Sequence, residues 1–328
     1  MNLDDRFFYI PDINDNIAFL TEQLFKQQTS SWQLAAANYK GLGKTLIRKL
    51  DINGIQIIIQ FNPERIRSSA AKIDEKSISE RKCFLCPQNL PPEQQGIPIY
   101  DDFLILVNPF PIFPKHLTIA KLQHTDQTIA QNVGTMLDLS ATLTDYVVFY
   151  NGPKCGASAP DHLHFQAGNK GFLPVEKEFA EMKNHLQITR YKSVEISFAA
   201  DYLRRMISLQ SNSKNDLLEI FAKIYDTLSA LQPHEPEPML NILCYVDANS
   251  WIMHIFPRTK HRPVQFYAED ETQLLISPAS VDFGGVFITP RVEDFEKIKA
   301  EDIVNIFDQV TTDKAEFEKI IHEINKIK

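Results

Sequence analysis

The chain has 328 residues, 44% of them apolar, enough for one large or two medium globular units with buried cores. A formal charge of −8 excludes broad, sequence-independent binding of nucleic acid, which needs many phosphates neutralised, and leaves room for a local basic pocket around one small anion. The N-terminus MNLDDRFFYI lacks a basic region followed by a long apolar run, no stretch reaches membrane-spanning length, and four cysteines are too few for a disulfide framework; the expectation is a cytoplasmic protein without nucleic-acid or membrane partners.

From the N-terminus, Ile17, Leu20, Leu24 and Phe25 recur at helical spacing and predict an amphipathic helix over Asn16–Gln28. GLGKT at 41–45 is not a phosphate loop, because Asn38 stands where the first glycine is required and the following residues are β-like. Leu46–Ile52 and Ile55–Phe61 flank Asn53-Gly54, the dipeptide that suits a type I′ turn, so a hairpin is expected. It leads into Asn62-Pro63-Glu64-Arg65-Ile66-Arg67, where the guanidinium groups of Arg65 and Arg67 are suited to bidentate phosphate binding, or to plain solvation at a strand end. Serines and lysines over 68–82 predict a mobile loop. Cys83 and Cys86, with two residues between them, can form half of a tetrahedral metal site; a redox pair is the weaker reading, because no βαβ pattern surrounds them.

Strands are expected at Phe103–Val107 and Leu117–Ala120, around the proline-restricted loop NPFPIFPKH, followed by an amphipathic helix over Asp126–Leu143. Tyr146–Tyr150 reads as a strand that Asn151-Gly152-Pro153 ends. Gly156, Ala157 and Ser158 are small enough to let backbone N–H groups approach an anion. His162-Leu163-His164-Phe165-Gln166 alternates strictly, which places His162, His164 and Gln166 on one face of an extended segment. Neutral imidazole can attack phosphorus, hold a metal or shuttle a proton, so two rings at this spacing can do different work.

A helix is predicted within LPVEKEFAEM, where Lys177 is a phosphate candidate or an ordinary surface lysine. Val194–Phe198 is a strand, Leu217–Leu231 a helix, and LNILCYVD and WIMHIFP are paired strands around Ala248-Asn249-Ser250. They end in Arg258, Lys260, His261 and Arg262, a second candidate anion site. The echo between IFPRTKH there and IFPKH earlier points to a degenerate duplication in which only the first copy carries His-x-His. The last residues read as amphipathic helix.

GASAPDHLHFQ resembles the active-site segment of the histidine-triad-like nucleotidyltransferases, whose galactose-1-phosphate uridylyltransferase and dinucleoside-polyphosphate phosphorylase branches carry His-x-His-x-Gln. HLHFQAGNKGFLPVEK and LLISPASVDFGGVFITPRVEDFEKI resemble the GDP-hexose phosphorylases, and CFLCPQN resembles the zinc segment of the uridylyltransferases. The resemblance implies an α+β, histidine-triad-like antiparallel sheet with packed helices, in two degenerate halves: a catalytic one at 1–185 and a non-catalytic one at 186–328. It implies His164 as the nucleophile that carries a nucleotidyl group, with Gln166 on the α-phosphate and Ser158 on a neighbouring phosphate. Asn62, Arg65, Arg67, Asn151, Gly156, Lys177, Arg258, Lys260 and Arg262 are then the substrate-binding candidates. Zinc would be held by Cys83, Cys86, His162 and His124, with His116 in reserve for His124. The implied substrates are a nucleotide sugar and phosphate or a sugar phosphate; a uridylyltransferase, a dinucleoside-polyphosphate phosphorylase and a silent nucleotide-binding protein stay open, as does a homodimer.

Overall fold

A computed structural model describes residues 17–66, 75–100 and 102–327. The strands are β1 (Leu46–Ile52), β2 (Ile55–Phe61), β3 (Gly96–Ile99), β4 (Phe103–Val107), β5 (His116–Lys121), β6 (Tyr146–Asn151), β7 (His164–Asn169), β8 (Gln187–Tyr191), β9 (Val194–Ala199), β10 (Met206–Ser211), β11 (Leu240–Asp247), β12 (Ser250–Pro257) and β13 (Val286–Thr289). The helices used below are α1 (Ile17–Ser31), α2 (Gln33–Leu42), α3 (Val133–Thr142), α4 (Pro174–Met182), α5 (Lys214–Leu231), α6 (Ala300–Val310) and α7 (Lys314–Asn325).

Ten strands form one antiparallel sheet in the order β3-β4-β5-β7-β6-β11-β12-β10-β9-β8. Its two halves repeat one plan: a three-strand meander, a helix, then two strands of which the second inserts next to the meander. They meet antiparallel where β6 pairs with β11, Asn151 opposite Asn241. The duplication is real in topology, yet the echo that hinted at it is not its trace. Ile112–His116 runs into the third strand of its half, whereas Ile255–His261 leaves the fifth strand of the other.

Alternation along the strands gives the sheet two apolar faces. One packs Val148, Leu163, Phe165 and Ile255 under α1, α3, α5 and α7, through residues such as Leu24, Met136, Phe221 and Phe317. The other packs Phe149, Leu243 and Phe256 against α4, α6 and the small sheet β1-β2-β13, through Phe179, Ile57, Phe287 and Phe307. The Asn53-Gly54 hairpin forms as expected, with φ of 54° and 85° at the turn. It joins β13 in parallel rather than entering the large sheet.

The expected helix over Asp126–Leu143 begins only at Val133. Residues before it are held out of helical conformation by side-chain bonds: the Ile129 N–H donates to Glu237 Oε1 at 2.5 Å, and the Gln127 amide is engaged with the His164 backbone. Glu75–Glu80 is a short helix within the stretch expected as a loop, and 67–74, with Arg67, lie outside the described residues. No helix among the described residues is long and apolar enough to cross a membrane.

Candidate active site and metal centre

The ends of β6 and β7, the loop between them, and segments from both halves enclose a cleft of about 440 Å³. His164 opens β7 on its floor; it is 4% exposed and paired across β5 with Ala120. Its Nδ1 lies 2.8 Å from the His162 carbonyl, which can only accept, so Nδ1 carries the hydrogen and Nε2 keeps its lone pair. Burial pushes the ring's pKa down to about 4, more than the His162 bond raises it, so the imidazole is neutral at pH 7. A neutral imidazole with a bare Nε2 is the nucleophilic form.

Gln166 stands two residues on, and its amide is oriented by a residue the sequence placed elsewhere. His116 Nδ1 accepts the Ile112 N–H at 3.2 Å, so its Nε2 carries the hydrogen and donates to Gln166 Oε1 at 3.0 Å. The Gln166 NH₂ is thereby left to donate toward the cleft. Burial, with Arg65 nearby, pushes His116 down to about 3, which keeps it neutral for this task. It is not a metal ligand.

Asn151 is oriented in the same way. Its Oδ1 accepts from Asn241 Nδ2 at 2.9 Å and from the Ser280 N–H at 2.8 Å, which turns its own NH₂ to the cleft it lines. Gly156 adopts φ +94°, and a Cβ there would meet Ala279 Cβ at 2.5 Å, so glycine is required both by conformation and by space. Ser158, Arg65 and Arg262 also line the cleft. Arg65 donates to the Phe110 carbonyl at 2.8 Å, and Arg262 to Ser277 Oγ at 3.1 Å while lying over the Phe266 ring. Burial lowers the Arg65 pKa to about 10, against the pull of Asp282, so it stays cationic at pH 7. The far wall is apolar, formed by Trp32, Leu34, Phe84, Leu85, Pro109 and Phe110.

Four expected contacts lie away from the cleft. Asn62 is buried and donates its amide to the Pro111 carbonyl at 2.9 Å. Lys177 is a solvent lysine, 83% exposed, facing Glu181 one helical turn on. Lys260 is exposed outside the cleft. Arg258 is fully buried over the Phe283 ring, and its five donors go to the carbonyls of Val310, Pro278, Lys260 and His261 and to Asn241 Oδ1. With no donor left for a phosphate, it is a strut that shapes the 258–261 turn. Arg258→Met is therefore expected to lower stability by about 3 kcal/mol or more, since several buried acceptors lose their partner. Lys260→Ala should stay within about 0.5 kcal/mol; denaturant unfolding of both variants measures the difference.

Beside the cleft, Cys83, Cys86, His124 and His162 bring their ligand atoms within 4.8 Å of one another. Cys83 Sγ to His162 Nδ1 is 3.2 Å, Cys86 Sγ to His124 Nδ1 3.3 Å, Cys86 Sγ to His162 Nδ1 3.5 Å, and the two Nδ1 atoms are 3.2 Å apart. Such spacings are the edges of a tetrahedron with bonds of about 2.0–2.3 Å, so the donor set fits one zinc-sized ion. His162 Nε2 donates to the Lys121 carbonyl at 2.7 Å, which leaves Nδ1 as the ligating atom. His162 precedes β7 rather than sharing its alternation, so its ring serves this cluster while its carbonyl serves His164.

The residues the sequence did not single out are Gln127, Asp282 and the apolar wall, while His116 was expected only as a reserve metal ligand and His261 only within the basic cluster. Only the wall left a trace, as aromatic and proline residues in loops. Gln127 was absorbed into a helical period.

Residues 24–169 match the family described as a domain of unknown function (DUF4922), and residues 174–328 the family described as GDPGP1-like, C-terminal domain. No curated protein matches the chain. Among solved structures it is similar to yeast Ap4A phosphorylase Apa2, with TM-score 0.57 and 17% identity over 86% of this chain and 97% of that one. The AMP complex of the same yeast protein gives 0.54 at 18% identity, and its Ap4A complex 0.53 at 19%, each over 88% of this chain and 97% of that one. At these identities the likeness is one of fold.

Proposed function

We infer, from the premise that the chain is a histidine-triad-like nucleotidyltransferase resembling the GDP-hexose phosphorylases, that it splits an NDP-hexose with phosphate through a nucleotidyl-histidine. The observation that carries this reading is the bare Nε2 of His164 in a cleft where the amides of Gln166 and Asn151 and the guanidinium groups of Arg65 and Arg262 converge.

In the first step Nε2 attacks the α-phosphorus, an N–P bond forms, and the bond to the bridging oxygen breaks. The electron pair leaves on hexose 1-phosphate, a phosphate anion that needs no proton, so no general acid is required at that oxygen. The ring becomes cationic, and its Nδ1–H already points at the His162 carbonyl, which stabilises that charge. In the second step a phosphate oxygen attacks, the N–P bond breaks, NDP leaves and the imidazole returns neutral. Gln166 and Arg65 offset the charge on the transferring phosphorus, and the apolar wall at Leu34, Phe84 and Phe110 suits a base. Residues 1–185 would act as the catalytic half and 186–328 as the non-catalytic half. In the latter, β12 has Ile252 and one buried histidine, His254, closed in by Ser208 and Tyr245. Zinc, held by Cys83, Cys86, His124 and His162, would be structural, and the protein cytosolic.

A screen of GDP-, UDP- and ADP-hexoses and of Ap4A, each with phosphate, identifies the substrate. Labelled hexose 1-phosphate should exchange into its NDP-hexose with no phosphate present, as ping-pong chemistry demands. Tight nucleotide binding without any exchange would make the chain a silent binding protein. Arg65→Gln is expected to lower kcat/KM on the order of 10²-fold, as loss of one charge-stabilising donor does. Lys177→Gln should leave it unchanged.

A further inference from the structure

The two halves of the sheet contain the same strand pair in two states. In the second half β11 and β12 pair without interruption from Leu240 opposite Pro257 to Asp247 opposite Ser250, and a tight turn closes them. In the first half β6 and β7 pair only from Tyr146 opposite Asn169 to Phe149 opposite Gln166. Beyond that point the strands splay, at His164.

The splayed backbone is not left to water. The Gln127 side chain enters from outside the sheet: its Oε1 accepts the His164 N–H at 2.8 Å, and its Nε2 donates to the His164 carbonyl at 3.1 Å and to the Asn151 carbonyl at 2.9 Å. One amide oxygen and two amide hydrogens account for every polar group of the Gln127 side chain, and the residue is fully buried. It stands in for the missing neighbour strand, binding His164 on both sides of its Cα. Gln127 does not line the cleft.

We propose that Gln127 is a positioning residue for the nucleophile: an inserted amide that keeps β6 and β7 apart and fixes the backbone from which the His164 ring projects. Its own backbone is tied to the second half. The Tyr150 hydroxyl lies 3.0 Å from the Gln127 carbonyl and 2.6 Å from Glu237 Oε2, and Glu237 also accepts the Ile129 N–H. The segment carrying Gln127 is thus pinned by a residue just ahead of β11, which gives the second half a mechanical task in catalysis.

This inference deepens the proposed nucleotidyl transfer and rests on it for its kinetic test. Gln127→Met keeps the volume and removes the polar bonds; Gln127→Glu keeps the acceptor for the His164 N–H and puts a carboxylate against two carbonyls. A residue that merely fills space would tolerate Gln127→Met, whereas a buried carboxylate facing two carbonyls is costly in any role. Expected in each folded variant is a fall in the single-turnover rate of nucleotidyl-enzyme formation of about 10²-fold, the usual consequence of a misplaced reacting group, with KM unchanged. The ¹⁵N signals of the His164 ring, assigned by their absence in His164→Ala, should lose the fixed Nδ1–H tautomer. Adduct formation at the parent rate, or a ring signature identical to the parent's, overturns the proposal. If the parent itself forms no adduct, nucleotidyl transfer is what fails, and the ring signature still decides whether Gln127 positions His164. Should neither Gln127 variant fold, Tyr150→Phe removes the hydroxyl that lies between the Gln127 carbonyl and Glu237 and is expected to give a smaller fall in the same rate with KM unchanged; an unaltered rate there also overturns it.

Discussion

His164→Ala is expected to abolish nucleotidyl transfer, with kcat reduced on the order of 10⁴- to 10⁶-fold, because in the proposed mechanism the residue removed is the covalent carrier itself. The parent, incubated with a labelled NDP-hexose and quenched in alkali, should carry one nucleotidyl group that acid releases, as an N–P bond requires. The variant should bind the same substrate and carry none, since Gln166, Asn151, Arg65 and Arg262 remain to hold the phosphates. An adduct of equal yield in the variant would remove His164 from the mechanism. The pH profile supplies a second check on the same atom. Burial holds the ring well below the ordinary histidine value, at about 4, so the neutral form persists as pH falls. The diphosphate of an NDP-hexose does not titrate in this range, so kcat/KM reports the free enzyme. It should stay level from pH 7 to about 5 and fall as pH drops through about 4. A half-maximum near pH 6.5 would mean that the ring is solvated rather than held.

What the sequence made legible follows from how local each signal is. Cys83 and Cys86 advertise a metal through their own spacing, and His162 and His164 a divided task through theirs; the cluster and the cleft bring these residues together. His124 lies far from both in sequence, and only resemblance brought it in. Arg258 shows the opposite limit. A basic run after a strand reads as an anion site whatever surrounds it, and only coordinates reveal that all five donors are consumed by carbonyls and an amide. Gln127 is harder still. A polar residue at the edge of an apolar period is assigned to the helix, and nothing local says that its amide is needed by a backbone that comes into register later in the chain. The strands β3 and β8 went unread for a related reason. They are short edge strands, and β3 contains Pro98, which a ladder tolerates only at its margin.

Removing the metal-binding set is expected to have the second large effect, and to differ in kind from the loss of Gln127. Two elements meet at the cluster. The His162 carbonyl aims the His164 ring, and Phe84 and Leu85, between the two cysteines, form part of the apolar wall. Two thiols and two imidazoles whose ligand atoms lie within 4.8 Å of one another suit a single ion, which would hold both segments in place. Cys86→Ser, or exhaustive chelation, should therefore lower kcat by about 10–100-fold, the scale on which outer supports of a reactive group act. It should also raise KM, because the wall proposed to receive the base would loosen with the loop, and lower the melting temperature, since a structural ion would contribute directly to folding free energy. Elemental analysis of protein purified without chelator should find about one zinc per chain, as four protein ligands around one ion require. Protein that contains none and turns over at the parent rate would show that the four side chains hold their places by packing alone. A fall in kcat with KM untouched would detach Phe84 and Leu85 from base binding while leaving the His162 carbonyl in charge of the nucleophile.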